Sequence, residues 1–257
     1  MGLKIAIAGK GGVGKTTISA LLARELSLND KVIAIDADPD SNLATSLGVP
    51  QHVREKIKPI SEMYELIEER TGARPGSSYG ALFNLNPEVE DILDNYGIKL
   101  GNISLLVLGT IKPPESGCFC PENALLKALL RHLILERNEH LILDMEAGIE
   151  HLTRGTTKGV DYLIIVTEQS WNSFDTTKRI FNLAKEMGVK NIALVLNKVK
   201  HLSLEFLKEI DSLGIKLLGK IFWDQEIESS DLGQGIKASK ATLQEIKRIA
   251  DMLKENV

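Results

Sequence analysis

Cysteine is scarce in this chain: two in 257 residues, both in one short stretch. A disulfide-stapled scaffold is thereby excluded, because that class spreads many cysteines through a small fold. Aromatic residues make up only 5% and proline occurs 8 times, and no repeat or low-complexity tract breaks the pattern. Charge of one sign is missing too. Lys and Arg number 31 against 35 Asp and Glu, a net charge of −4 with a pI near 5.8. Without a basic footprint, nucleic acid is not an expected partner. No apolar run reaches the roughly 20 residues of a membrane span, so a membrane partner is not expected either. The first residues enter a strand-like run at once, with no leader pattern, and the expected location is cytoplasmic.

What is present is 43% hydrophobic residues, ordinary for a globular chain, at a length that suits a single large α/β domain over 1–257. Short apolar runs at 3–8, 32–35, 104–108, 141–143, 162–167, 192–196 and 217–222 predict strands. Helical periodicity predicts helices at 16–28, 60–70, 122–136, 173–187, 203–213 and 242–255. Such alternation implies a mostly parallel sheet with helices on both faces, and ligands at the carboxyl ends of its strands. Residues 51–100 are the least regular and are expected to form a surface insertion.

Gly9-Lys10-Gly11-Gly12-Val13-Gly14-Lys15-Thr16-Thr17 fits G-x-x-x-x-G-K-[ST] between a strand and a helix. A glycine turn opening a helix aims backbone N–H groups and a positive dipole at one point, which suits a phosphate chain. Lys15 is expected at the β- and γ-phosphates and Thr16 on Mg²⁺, with Gly11, Gly12, Val13, Gly14 and Thr17 completing the loop. Gly9, Gly11 and Gly14 also spell G-x-G-x-x-G, the dinucleotide fingerprint. Lys15-Thr16 decides for the phosphate loop, since a dinucleotide loop has no use for that lysine. Lys10 directly after the first glycine resembles the deviant Walker A class, which includes MinD, ParA and the nitrogenase iron protein. The resemblance implies that Lys10 crosses a dimer interface to the partner's nucleotide, as an arginine finger does.

Further along, Ile35-Asp36-Ala37-Asp38-Pro39-Asp40-Ser41-Asn42 follows the second strand. Clustered carboxylates there call for a cation or for donors, although Asp, Pro and Ser also simply make turns. The same resemblance makes this segment switch I, with Asp36 supporting Mg²⁺ and Asp38 positioning the attacking water. Leu141-Ile142-Leu143-Asp144 has the Walker B form; Asp144 is expected to hold Mg²⁺ and Gly148 to lie near the γ-phosphate. Met145-Glu146-Ala147 departs from the usual class pattern and leaves the role of Glu146 open. Asn197-Lys198 ends the sixth predicted strand and is similar to a base-recognition loop. Lys200 stands where guanine readers place an Asp, so adenine is the expected base, with Trp223 near enough in the pattern to close over it.

Gly117-Cys118-Phe119-Cys120-Pro121 holds both thiols one residue apart. A disulfide between them would close a strained ring. Two ligands are too few for a tetrahedral thiolate site, but a two-fold axis doubles them to four. Softness favours Zn²⁺ or an Fe–S cluster, and Ni²⁺ where geometry allows. Inert core thiols are the alternative. His132, His140 and His151 stand alone and are expected to be packing or surface residues.

Together with Asp36-Ala37-Asp38-Pro39-Asp40-Ser41-Asn42, Asp144-Met145-Glu146-Ala147-Gly148 and Val195-Leu196-Asn197-Lys198-Val199, the cysteine pair resembles the CooC-type nickel-insertion ATPases of carbon monoxide dehydrogenase over nearly the whole chain. That resemblance implies an ATP/ADP-cycling homodimer that binds Ni²⁺ or Zn²⁺ at Cys118 and Cys120 of both subunits and serves carbon monoxide dehydrogenase or acetyl-CoA synthase. A MinD- or ParA-like positioning ATPase and an Fe–S electron-transfer ATPase are the rival readings.

Overall fold

The computed structural model describes residues 2–38, 40–76, 82–109, 120–149, 152, 156–230 and 234–255. Eight strands form its sheet: β1 (Lys4–Ala8), β2 (Val32–Ala37), β3 (Ile98–Leu100), β4 (Ile103–Val107), β5 (His140–Met145), β6 (Tyr162–Glu168), β7 (Ile192–Val199) and β8 (Lys216–Phe222). They lie in the order β3-β4-β2-β5-β1-β6-β7-β8. Every pairing is parallel except β3 with β4. The expected α/β fold class, a mostly parallel sheet with helices on both faces, is therefore the fold observed.

Helices α1 (Lys15–Ser27), α2 (Leu43–Leu47), α3 (Gln51–Arg54), α4 (Tyr64–Thr71), α5 (Ile92–Tyr96), α6 (Pro121–Leu135), α7 (Trp171–Glu186), α8 (Leu204–Leu213), α9 (Gln225–Glu228) and α10 (Lys240–Lys254) cover the sheet. Strand alternation sorts the core into two layers. Ile5 and Ile7 of β1 point to the side of α1 and α10, where they meet Ile18, Leu22, Ile249 and Leu253. Ala6 and Ala8 point to the other side, toward Leu126, Leu129, Leu133 and Phe174 of α6 and α7. With both faces covered, the strands read as unbroken apolar runs.

Three expectations are corrected. The helix predicted over 60–70 is a 3₁₀ turn, Ile60–Glu62, followed by α4, because Met63 at φ −82° and ψ 72° leaves helical geometry. Asp36 and Asp144, expected just beyond their strands, lie within β2 and β5. Asn197 and Lys198, expected in a loop that ends the sixth strand after Leu196, lie in β7, which carries a register irregularity between Leu196 and Val199 and a left-handed Lys198 at φ 54°. Within 51–100, Ile60, Ile67, Ile92 and Leu93 are buried in the main core, and β3 adds the antiparallel edge.

Among the described residues no helix is long and apolar enough to cross a membrane.

Candidate nucleotide site

β1 ends at Ala8 between β5 and β6, and the chain then turns through three left-handed glycines, Gly9 (φ 147°), Gly12 (φ 82°) and Gly14 (φ 95°). Only glycine adopts such backbone without strain. Each glycine answers a different demand. A Cβ at Gly9 would sit 2.2 Å from the Val166 carbonyl oxygen, and one at Gly14 would sit 2.3 Å from Asn197 Nδ2, whereas Gly11 and Gly12 have open space beside them. The loop is thus clamped at its two ends and open along its crest. Gly14 is the N-cap of α1 and supplies no side-chain cap, so the helix presents its first N–H groups to whatever lies in the loop.

Lys15 is only 6% exposed. Among the described residues its ammonium has a single long hydrogen bond, 3.5 Å to the Lys10 carbonyl. A buried cation with one weak acceptor is costly unless an anion joins it. Lys10 is half-exposed, and its side chain makes no hydrogen bond or ion pair among the described residues. Thr16 and Thr17, at the first turn of α1, are half-exposed beside it.

Opposite the lysine stand two carboxylates. Asp36 and Asp144 are both fully buried. Asp36 accepts from the Leu43 and Asp38 backbone N–H groups at 2.9 and 3.2 Å. Burial, then the Asp144 charge, pushes its pKa up to about 7. Asp144 accepts from Ser19 Oγ at 2.9 Å, while its Oδ2 is buried without a partner. Burial raises its pKa to about 6 against the opposing hydrogen bonds of Thr16 and Ser19 and the nearby Lys15. One orphaned carboxylate oxygen beside a threonine hydroxyl and a second buried aspartate is the oxygen-rich donor set that Mg²⁺ takes. Asp38 is half-exposed, and its Oδ1 accepts from the Asp40 N–H at 3.0 Å. Beyond β5, Glu146 is exposed and Gly148 half-buried.

On the β7 side, Asn197 is 5% exposed and donates Nδ2 to the Val13 carbonyl at 2.8 Å. Lys198 Nζ donates to the Gly12 carbonyl at 2.5 Å. Both therefore brace the glycine loop, a task that its sequence neighbourhood did not announce. The Trp223 backbone N–H donates to the Val199 carbonyl at 2.9 Å, and the Lys200 ammonium lies 4.5 Å from the Trp223 ring centroid. Ser19 is the residue that sequence reasoning missed. Its signal was its place one helical turn after Lys15, on the same face of α1.

The cysteine segment is divided. Cys120 is half-buried and caps α6; Cys118 lies outside the described residues. Among the described residues no group of three or more His, Cys, Asp or Glu is arranged to hold a metal ion. His140 takes the Leu3 N–H and faces Asp30, and His132 faces Glu136, so both pair locally; His151 lies outside the described residues.

A buried lysine under a glycine arch, with strand-end carboxylates across from it, is the apparatus of a P-loop nucleoside triphosphatase. Comparison with known proteins makes this particular. The CobQ/CobB/MinD/ParA nucleotide-binding domain matches residues 4–236. An ATP-binding protein of Methanocaldococcus jannaschii is 47% identical over 251 residues, 96% of each chain. The carbon monoxide dehydrogenase accessory protein CooC of Rhodospirillum rubrum is 45% identical over 232 residues, 89% of this chain and 87% of that one. In structure, the cell-division protein MinD of Aquifex aeolicus superposes with a TM-score of 0.68 at 21% identity, over 100% of this chain and 98% of that one. The chain belongs to the CobQ/CobB/MinD/ParA nucleotide-binding family, in company with CooC, and it is an ATPase.

Proposed function

We propose that this ATPase is a dimeric metallochaperone that hydrolyses ATP while loading Ni²⁺ into the Ni–Fe–S cluster of carbon monoxide dehydrogenase or acetyl-CoA synthase. The observation that carries the reading is the extent of the similarity to CooC, 45% identity along nearly the whole chain, together with a C-x-C pair at the head of α6. Residues 1–257 act as a single P-loop domain in this account.

In the nucleotide site, Gly11, Gly12, Val13, Gly14, Lys15, Thr16 and Thr17 hold the phosphates of ATP or ADP, and Gly148 approaches the γ-phosphate. Asn197 and Lys198 keep the loop in shape beside the adenine, and Trp223 offers a ring for the base to stack on. Thr16, Asp36 and Asp144 are the groups that hold Mg²⁺. The ion supplies charge neutralisation for the phosphates when bound. Asp38 orients the attacking water. Lys10 reaches the nucleotide of a second copy, and its side chain's lack of a hydrogen bond or ion pair among the described residues is consistent with that role.

The cargo ion binds Cys118 and Cys120 of both chains, and Zn²⁺ competes with Ni²⁺ for the same thiolates. Cys120 opens α6, and α6 leads through one short turn into β5, which carries Asp144. Closure of two chains around ATP would shift this rod and the spacing of the thiol pairs with it. Reciprocity then requires metal to alter nucleotide affinity by the same factor.

A MinD-like membrane role needs a free amphipathic tail. Here Ile246, Ile249, Ala250 and Leu253 of α10 are buried in the core, so α10 itself is a packing helix and not a free membrane-binding one. Titration of Ni²⁺ into anaerobic protein tests it. About one ion per two chains, abolished by the double change Cys118→Ala and Cys120→Ala, is expected; stoichiometric metal binding that survives the double change would reject it.

A further inference from the structure

A cavity of about 150 Å³ opens beside switch I, lined by Ser41, Thr45, Arg54, Ile57, Pro59 and Val107 among others. Its chemistry is set by Arg54, the last residue of α3. The guanidinium donates once, from Nη1 to Thr45 Oγ1 at 2.6 Å. Its Nε is buried with no partner. No ion pair of Arg54 exists among the described residues. The adjacent Glu55 is engaged instead with Gln51 at 2.9 Å. A guanidinium offers five N–H groups in a planar fork and never gives up its charge. Arg54 as a whole is half-exposed, but its Nε is a buried donor that meets no acceptor among the described residues, and such a donor is costly to leave unmet.

The surroundings say what would meet it. Ile57, Pro59 and Val107 form apolar walls that lower the local dielectric and strengthen any ion pair inside. Ser41 and Thr45 bring hydroxyls to the same space. Ser41 is held at φ 49°, a left-handed conformation unusual for a residue with a side chain. A water takes about 30 Å³ of liquid volume, so the space suits an ion of a few heavy atoms and excludes a nucleotide.

We propose that this cavity is a second oxyanion site, for inorganic phosphate, built onto switch I and separate from the phosphate loop. Arg54 Nε and the free guanidinium N–H groups donate to the ion, and the Ser41 and Thr45 hydroxyls complete its shell. The ATPase reaction releases phosphate next door, so the natural occupant is the protein's own product. Asp36 Oδ2 holds the Leu43 N–H at the head of α2, and Thr45 lies on the same short helix. An ion bridging Arg54 to Thr45 would therefore fix switch I through α2, whose head Asp36 holds.

Calorimetric titration of phosphate into protein saturated with ADP and Mg²⁺ tests the site, because ADP fills the phosphate loop and removes it as a competitor. The expected result is saturable binding with Kd of order 1 mM, weakened about tenfold or more by Arg54→Met and less by Arg54→Lys, which keeps charge without the fork. Thr45→Val, which keeps the arginine but removes the hydroxyl to which its Nη1 donates, should weaken it about threefold. Unchanged ADP affinity and melting temperature in these variants separate loss of the site from loss of the fold. Should ADP itself fail to bind, that titration reports it, and phosphate is then titrated into Lys15→Ala, whose phosphate loop is disabled. No saturation by about 20 mM phosphate, or equal affinity in wild type and Arg54→Met, overturns the proposal.

Discussion

Asp36 and Asp144 are register partners on neighbouring parallel strands, β2 and β5, and both are fully buried. Adjacent strands lie about 4.8 Å apart, so two carboxylates shielded from bulk solvent share one small volume. Their pKa values stand near 7 and near 6, and one oxygen, Asp144 Oδ2, has no hydrogen bond. The pair is an electrostatic liability alone and an asset with a divalent cation between the chain's other oxygen donors.

The first prediction follows from the sign of those shifts. Asp36 titrates near 7 in the fold and near 3.9 when unfolded. Between these values the native state binds more protons, so metal-free stability is full below the unfolded value and is lost as pH rises through about 7. Asp36→Asn removes the charge but keeps an acceptor for only one of the two backbone N–H groups, so its metal-free stability relative to wild type should be more favourable at pH 8 than at pH 4 by about 1–3 kcal/mol. Thermal unfolding in chelator at several pH values checks this. A stability difference from wild type that is the same at pH 4 and pH 8 would contradict it.

Ser19 acts on Asp144 through one hydrogen bond of 2.9 Å. Ser19→Ala should raise the Mg²⁺ concentration for half-maximal ATPase activity roughly tenfold, the usual effect of losing a partner behind a metal ligand. The KM for ATP at saturating Mg²⁺ should stay within about twofold. Mg²⁺ titration of the initial rate separates the two quantities.

Asn197 bonds Val13 of the glycine loop rather than standing free for a base. Asn197→Ala should therefore weaken binding of tripolyphosphate, which has no base, by about tenfold. If only ATP binding suffers, Asn197 reads the base and the bracing role fails. Gly14→Ala should be worse, because its Cβ would meet Asn197 Nδ2 at 2.3 Å and φ is 95°.

Much of this architecture is legible in the residue order. Seven of eight strands announce themselves as short apolar runs, and the glycine loop with its lysine carries its chemistry in its spelling. β3 does not, since Ile98–Leu100 is only 3 residues at a half-exposed edge. Strand order is also invisible. β2 joins β5 rather than β1, and that crossover alone sets Asp36 beside Asp144. Ser19 and Arg54 escaped for the same reason: each gains meaning from a partner distant in sequence or from a space that only the fold creates. Within 51–100, polar turns masked the buried Ile60, Ile67 and Ile92, whose anchoring depends on α6 lying over them.

The central claim is that two copies of this chain share one metal ion while each holds ATP. Its most direct test is anaerobic size-exclusion chromatography with light scattering and elemental analysis of the eluted peak, run with Ni²⁺, Mg²⁺ and a non-hydrolysable ATP analogue. The account predicts a dimer carrying about one Ni²⁺ per two chains, with Cys118→Ala plus Cys120→Ala losing the metal and Lys10→Ala losing the nucleotide-dependent dimer. A monomer under all conditions, or a dimer whose nickel content ignores both cysteines, would contradict it.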